Sequence, residues 1–212
     1  MFFLQLAERF ISGLQDTTVP EYIAVVAGIA SVWFSKRENI LVYPVGLVNT
    51  VIYTWLSFKY HLIGEATVNF YYTVVSLYGW WLWTRKDVGN RPVLQITFSN
   101  AQQWMQQVLL FAVLYAIIFS ALTYLKTSFY PGAIPWADAA ASATAFTGMW
   151  LMAKKKVESW WWWIATNIAS IPLYFVKGLV FTSFYYAVLL VLAVSGLLEW
   201  RQRASATPKF AA

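Results

Sequence analysis

Two stretches of this chain, 21–86 and 138–203, read as diverged copies of one sequence running in the same direction, and a direct internal repeat constrains a fold more than any composition does. Lys36 matches Lys154, Asn49 matches Asn167 and Lys59 matches Lys177 at one spacing. After a drift of a single residue, Glu21 faces Asp138, Gly79 faces Gly196 and Trp83 faces Trp200. Each copy holds three apolar stretches, so a direct fusion would leave the second copy upside down in a bilayer. A fourth apolar stretch, 108–125, lies between them and restores the orientation. The expected architecture is an all-α integral membrane protein of seven transmembrane helices in a three-plus-one-plus-three plan. Parallel repeats of this kind, related by an axis along the membrane normal, enclose a path at their interface.

Composition agrees. Sixty per cent of the 212 residues are apolar, 19% are aromatic and only 11% are charged, where soluble domains are about a quarter charged. No cysteine is present and His61 is the single histidine, so neither a thiolate site, a disulfide framework nor a zinc cluster is expected, and no cofactor is implied. The formal charge of +6 would suit a nucleic acid, but its distribution argues against one.

The apolar pattern predicts helices at about 19–35, 42–58, 67–83, 108–125, 138–152, 160–176 and 181–200, most of them near the roughly 20 residues that cross a hydrocarbon core. If they cross in turn, Lys36, Arg37, Arg85, Lys86, Arg91, Lys154, Lys155, Lys156, Arg201, Arg203 and Lys209 gather on one side. Only Arg9, Lys59, Lys126 and Lys177 fall on the other. That imbalance places the N-terminus outside and the C-terminus inside. The division expected is an interfacial N-terminal segment (1–20), a first three-helix repeat (21–86), a cytoplasmic linker with the linker helix (87–137), a second repeat (138–203) and a tail without order (204–212). Thr18 to Glu21 has the form of a capping box with proline in the first turn, and Ser99 to Gln102 suggests a second helix start. The opening MFFLQL is interrupted by Glu8 and Arg9 and does not read as a cleaved signal.

With all acids near helix ends, the chemistry at membrane depth falls to amides, hydroxyls and rings. Asn49 and Asn167 each lie near the middle of the second helix of their repeat, where an unsatisfied amide is costly in lipid, so both should face protein or a cavity. Helix spacing puts Trp160, Trp163, Asn167 and Tyr174 on one stripe, suited to stacking a flat aromatic ligand and hydrogen-bonding its amide or sugar. The first repeat offers Asn49 with Tyr53, and its third helix offers Ser76 beside Tyr72 and Gly79 or Trp80. Trp161 and Trp162, next to Lys154 to Lys156, read as interfacial belt, as do Trp80, Trp81 and Trp83. Glu21 and Asp138 read as caps complementing the helix dipole, and Lys59, Lys177 and His61 as interfacial residues on the outer side.

The ordered elements ESWWWWIATN (158–167), LYFVKGL (173–179), NFYYTVVSLYGWWLW (69–83) and SGLLEW (195–200) resemble the PnuC-type vitamin transporters, particularly the nicotinamide riboside branch, over nearly the whole of 21–203. The resemblance implies a fold similar to the SWEET sugar transporters in a bacterial inner membrane, homotrimeric assembly, and facilitated diffusion of nicotinamide riboside for NAD biosynthesis, with metabolism trapping the substrate inside. It places Trp160, Trp163 and Asn167 at the substrate, with Asn49 as the symmetric partner. Pro20, Pro44 and Pro172 do not form the matched hinge set of SWEET proteins. Sister branches carrying thiamine or riboflavin are the alternative within transporters. A retinal-binding photoreceptor is disfavoured because 181–200 has no lysine, and a membrane-embedded enzyme because no paired acids, histidine cluster or activated serine lies at depth. No arginine or lysine at mid-depth can neutralise a phosphate, so a nucleoside is expected to bind and its mononucleotide to be rejected.

Overall fold

A computed structural model describes residues 2–15, 17–59, 63–126 and 134–206; His61 and the tail from 207 onward lie outside the described residues. Among the described residues there are eight helices and no strands: α1 (Phe2–Gln15), α2 (Val19–Lys36), α3 (Val42–Lys59), α4 (Ile63–Thr84), α5 (Ala101–Lys126), α6 (Pro135–Ala153), α7 (Ser159–Val176) and α8 (Val180–Ala206). One helix covers each of the seven expected stretches. α4 starts earlier than the pattern suggests, and α8 continues past Arg203 to Ala206, into the stretch expected to lack order.

Helix starts follow local chemistry. At α2 the Glu21 carboxylate accepts from the Thr18 backbone N–H at 2.6 Å and from its hydroxyl at 2.8 Å, with Pro20 in the first turn. At α6, Asp138 accepts from the Ile134 N–H at 2.7 Å and pairs with Lys177 at 2.6 Å. Both acids therefore cap, as read. The start of α5 corrects the expectation of Ser99 to Gln102: the reciprocal pair is one residue later, with Gln103 N–H donating to Asn100 Oδ1 at 2.8 Å and Asn100 N–H to Gln103 Oε1 at 3.1 Å. Ser99 is instead held by Glu158, its N–H and hydroxyl donating to the two carboxylate oxygens at 2.9 and 2.7 Å. A carboxylate from the α6–α7 junction outcompetes the local box.

The helices close into a ring. α2 packs on α3, α3 on α4, α4 on α6, α6 on α7, α7 on α8, and α8 back on α2; α5 lies outside against α6, and α1 outside against α8. α1 docks through Phe10, whose ring lies 5.7 Å from Phe181 and 5.4 Å from Phe184. α5 is fastened by a side-chain chain in which Trp162 donates to Gln107 at 3.1 Å and Gln107 to Ser99 at 2.7 Å. Trp162 thus departs from the belt role expected of it: its indole is an interhelix donor, and its ring packs 5.3 Å from Phe111. Trp161 is half exposed, as a belt residue would be. Outward residues such as Val26, Val51, Phe70, Leu109, Ile117, Ile168 and Val191 are exposed and apolar, a surface water would not tolerate at this extent. α5 and α8 are each long and apolar enough on their own to cross a bilayer.

The two triads, α2–α4 and α6–α8, repeat each other in detail at the ends carrying Lys36 and Lys154. Gly79 lies against the Tyr43 ring, where a β-carbon would fall 2.5–2.7 Å from its atoms; Gly196 lies against the Trp160 ring with the same 2.5–2.7 Å. Tyr43 meets Trp83 edge-on at 5.2 Å and Trp160 meets Trp200 edge-on at 5.6 Å. Only glycine permits either approach. Tyr43, Trp83, Trp160 and Trp200 share one buried cluster with Ile96 of the linker. The linker is itself pinned, Thr97 N–H donating to Lys155 O at 3.2 Å and Val157 N–H to Thr97 O at 3.1 Å.

Candidate functional site

At mid-depth the ring helices carry no charged residue. In α2, α3, α4, α6, α7 and α8, no Lys, Arg, Asp or Glu occupies the central third of the helix. What the helices bring together there is aromatic. Tyr72 of α4 lies 6.2 Å from the Trp163 ring of α7 and 6.0 Å from Phe146 of α6, which it meets edge-on. Tyr71 packs on Phe146 at 4.3 Å and donates to the Phe146 carbonyl at 3.1 Å. On α8, Tyr185 and Tyr186 meet edge-on at 5.6 Å. Tyr72 and Tyr185 are each partly buried.

The two asparagines at matching positions differ. Asn49 donates through Nδ2 to the Ala24 carbonyl at 2.6 Å and lies beside the Tyr185 hydroxyl above Gly28, where a β-carbon would fall 2.9 Å from Nδ2. Asn167 is 2% exposed and its Oδ1 has no hydrogen-bond partner. A buried carbonyl oxygen left open is expensive unless something else completes it.

The sequence-predicted site residues divide accordingly. Trp163 reaches the Tyr72 ring of α4, Asn167 is buried one turn after it on α7, Asn49 is tied to α2 beside the Tyr185 hydroxyl, and Tyr53 is partly buried on α3. Ser76 is buried. Tyr174 lies toward the other end of the ring, stacked on Tyr186 at 5.1 Å, with the Lys177 ammonium 5.9 Å from its ring. Trp160 is not brought to the interior. It is 1% exposed against Gly196 and Trp200, with an indole N–H that has no partner, so the expected stripe on α7 splits between the core and the ring's interior.

Tyr71, Phe146, Tyr185 and Tyr186 are not singled out by the sequence, which offers only Tyr72, beside Ser76, among these rings. A signal was present: each repeat's third helix carries a tyrosine doublet, Tyr71–Tyr72 and Tyr185–Tyr186. The doublets do not align in the register that pairs Gly79 with Gly196, so the internal repeat does not match them. Elsewhere, a cleft of about 530 Å³ between Tyr78, Leu82, the 93–97 segment, Lys154 and Lys156 contains none of the predicted residues.

The sequence profile of the family described as "Nicotinamide mononucleotide transporter" matches residues 18–202. The nicotinamide riboside transporter PnuC of Escherichia coli K12 is 24% identical over 209 residues, covering 89% of this chain and 87% of its own length. The riboflavin/roseoflavin transporter RibM of Streptomyces davaonensis is 24% identical over 211 residues, covering 95% and 94%. A crystal structure of the vitamin B3 transporter PnuC superposes with a TM-score of 0.70 at 21% identity, covering 96% of this chain and 89% of that one.

Proposed function

The chain belongs to the nicotinamide mononucleotide transporter family, and from that premise we propose that it carries nicotinamide riboside across a bacterial inner membrane by uniport. The observation that carries the substrate reading is the open, buried Asn167 Oδ1, one helical turn after Trp163, whose ring lies 6.2 Å from that of Tyr72. An acceptor among ring faces suits a flat heterocycle bearing N–H or O–H donors, and the pyridinium charge of this nucleoside is attracted by aromatic faces without needing an acid. The family's description names a mononucleotide, whereas relatives are nicotinamide riboside transporters. Charge favours the nucleoside, because a phosphate would need Lys or Arg at depth and the central thirds of the ring helices hold neither.

In this reading α2–α4 and α5–α8 supply seven spans, α1 lies at the interface, and the Lys36, Lys154 and Arg203 ends face the cytoplasm. The assembly expected is a homotrimer. Riboflavin is the second reading, favoured by the near-complete coverage of RibM. Calorimetry on purified protein with nicotinamide riboside, its mononucleotide, thiamine and riboflavin decides among them. Tight binding confined to the riboside supports the proposal, and mononucleotide binding of equal strength overturns it.

A further inference from the structure

We propose that Trp83 and Trp200 form a reciprocal latch that closes the path at its cytoplasmic end and must open for substrate to leave; this rests on the transport reading above. Trp83, on the third helix of the first triad, donates its indole N–H to the Ala153 carbonyl at the end of the second triad's first helix, at 3.1 Å. Trp200, on the third helix of the second triad, donates to the Ser35 and Lys36 carbonyls at the end of the first triad's first helix, each at 3.1 Å. Ser35 and Ala153 hold the same position in the repeat, as do Trp83 and Trp200, so each half bonds the other in the same way.

Around this exchange the two halves are joined by further contacts. Lys155 pairs with Glu38 at 2.6 Å, and its ammonium lies 4.6 Å from the Trp83 ring. Each of these two residues directly follows the C-cap of its triad's first helix, Arg37 and Lys154, and both hold the left-handed backbone conformation, φ 52° at Lys155 and 57° at Glu38. Conformations that side chains of this kind rarely adopt are kept where the surroundings impose them. The Ser35 hydroxyl reaches Met152 Sδ at 2.9 Å, again from the end of one first helix to the end of the other.

Closure follows from size. The Trp83 and Trp200 ring centroids are 6.2 Å apart and Trp200 is 0% exposed; rings at that spacing, each with its own thickness of about 3.5 Å, leave no gap for a pyridine ring. The bonds also sort by what they connect. Tyr43 on Gly79 and Trp160 on Gly196 lie within a triad and hold it rigid. The indole N–H bonds, the Lys155–Glu38 pair and the Ser35–Met152 contact all cross between triads. A relative movement of two rigid halves therefore breaks the latch without repacking either half.

The chain has no cysteine, so one disulfide can be placed alone. In the double variant Ser35→Cys, Met152→Cys, oxidation should join side chains that already touch. Reconstituted protein should then bind nicotinamide riboside with unchanged affinity but equilibrate it at least tenfold more slowly, with recovery on reduction. Uptake by the reduced protein separately tests the transport reading. Equal rates in the oxidised and reduced forms, or no disulfide under oxidation, would overturn the latch. Should that variant not fold, Trp83→Phe with Trp200→Phe keeps both rings and removes both donors. Exchange at least threefold faster at unchanged affinity supports the latch, and an unchanged rate overturns it.

Discussion

Asn49 and Asn167 occupy equivalent positions and have unequal surroundings, so their replacement by leucine should separate stability from binding. Asn49→Leu removes the 2.6 Å bond to Ala24 and should lower unfolding free energy by about 1 kcal/mol, the scale of an interhelix hydrogen bond in a membrane. Asn167→Leu removes no hydrogen bond to the Oδ1, which has none, and should leave the melting temperature in place while weakening riboside binding by about 1–3 kcal/mol. Parallel melting curves and calorimetry read the two effects; loss of stability at Asn167 with binding intact would reverse the assignment. The tryptophan run gives a second contrast. Trp163→Ala should cost about 1–3 kcal/mol of binding by removing a ring face beside Tyr72. Trp162→Ala should leave affinity nearly unchanged and loosen α5, which its indole holds through Gln107. Helical spacing separated these two faces in advance, but it did not tell lipid from a neighbouring helix as the partner of Trp162.

At the scale of elements, two aromatic-on-glycine contacts set how α3 meets α4 and how α7 meets α8. Gly79→Ala and Gly196→Ala each place a β-carbon 2.5–2.7 Å from ring atoms, so each should destabilise by about 1–3 kcal/mol through overpacking. Gly46→Ala, whose β-carbon would sit at an ordinary 3.5 Å from Ser31 Cβ, serves as the control and should be tolerated. Thermal unfolding in detergent checks the set, and equal effects at all three positions would contradict the close-approach account. The matched glycines were visible as a pair in the sequence. Their reason was not, because a repeat shows that a position is shared without showing that Tyr43 in one copy and Trp160 in the other are the rings it accommodates. The start of α5 shows the same limit: Asn100 and Gln103 form the box while Ser99 is drawn to Glu158, a residue distant in sequence.

For the whole molecule, the prediction concerns energy coupling. Among the described residues Glu21 is held by Thr18, Asp138 by Lys177 and Ile134, and Glu158 by Ser99, and none of these acids lies in the central third of a ring helix. A carrier driven by protons or sodium needs ionisable or charge-coordinating groups at depth. Proteoliposomes should therefore equilibrate nicotinamide riboside without concentrating it, whatever pH or sodium gradient is imposed. Accumulation above the external level that collapses with an ionophore would refute uniport, and Glu21 and Asp138 would be the first residues to neutralise.

The sequence alone determined the duplication, the helical stretches and the lopsided distribution of basic residues, because these follow from local composition and from length against a bilayer. It also singled out Asn49 and Asn167, since an amide within an apolar helix stands out wherever it faces. Tertiary structure decided which rings face inward. Where 19% of residues are aromatic, most helix faces carry a ring, and only the packing of the ring of helices distinguishes Trp163 and Tyr72, at the interior, from Trp160, spent on Gly196. It also decided that one asparagine is bonded and its counterpart open, a difference between two copies that their common pattern cannot contain.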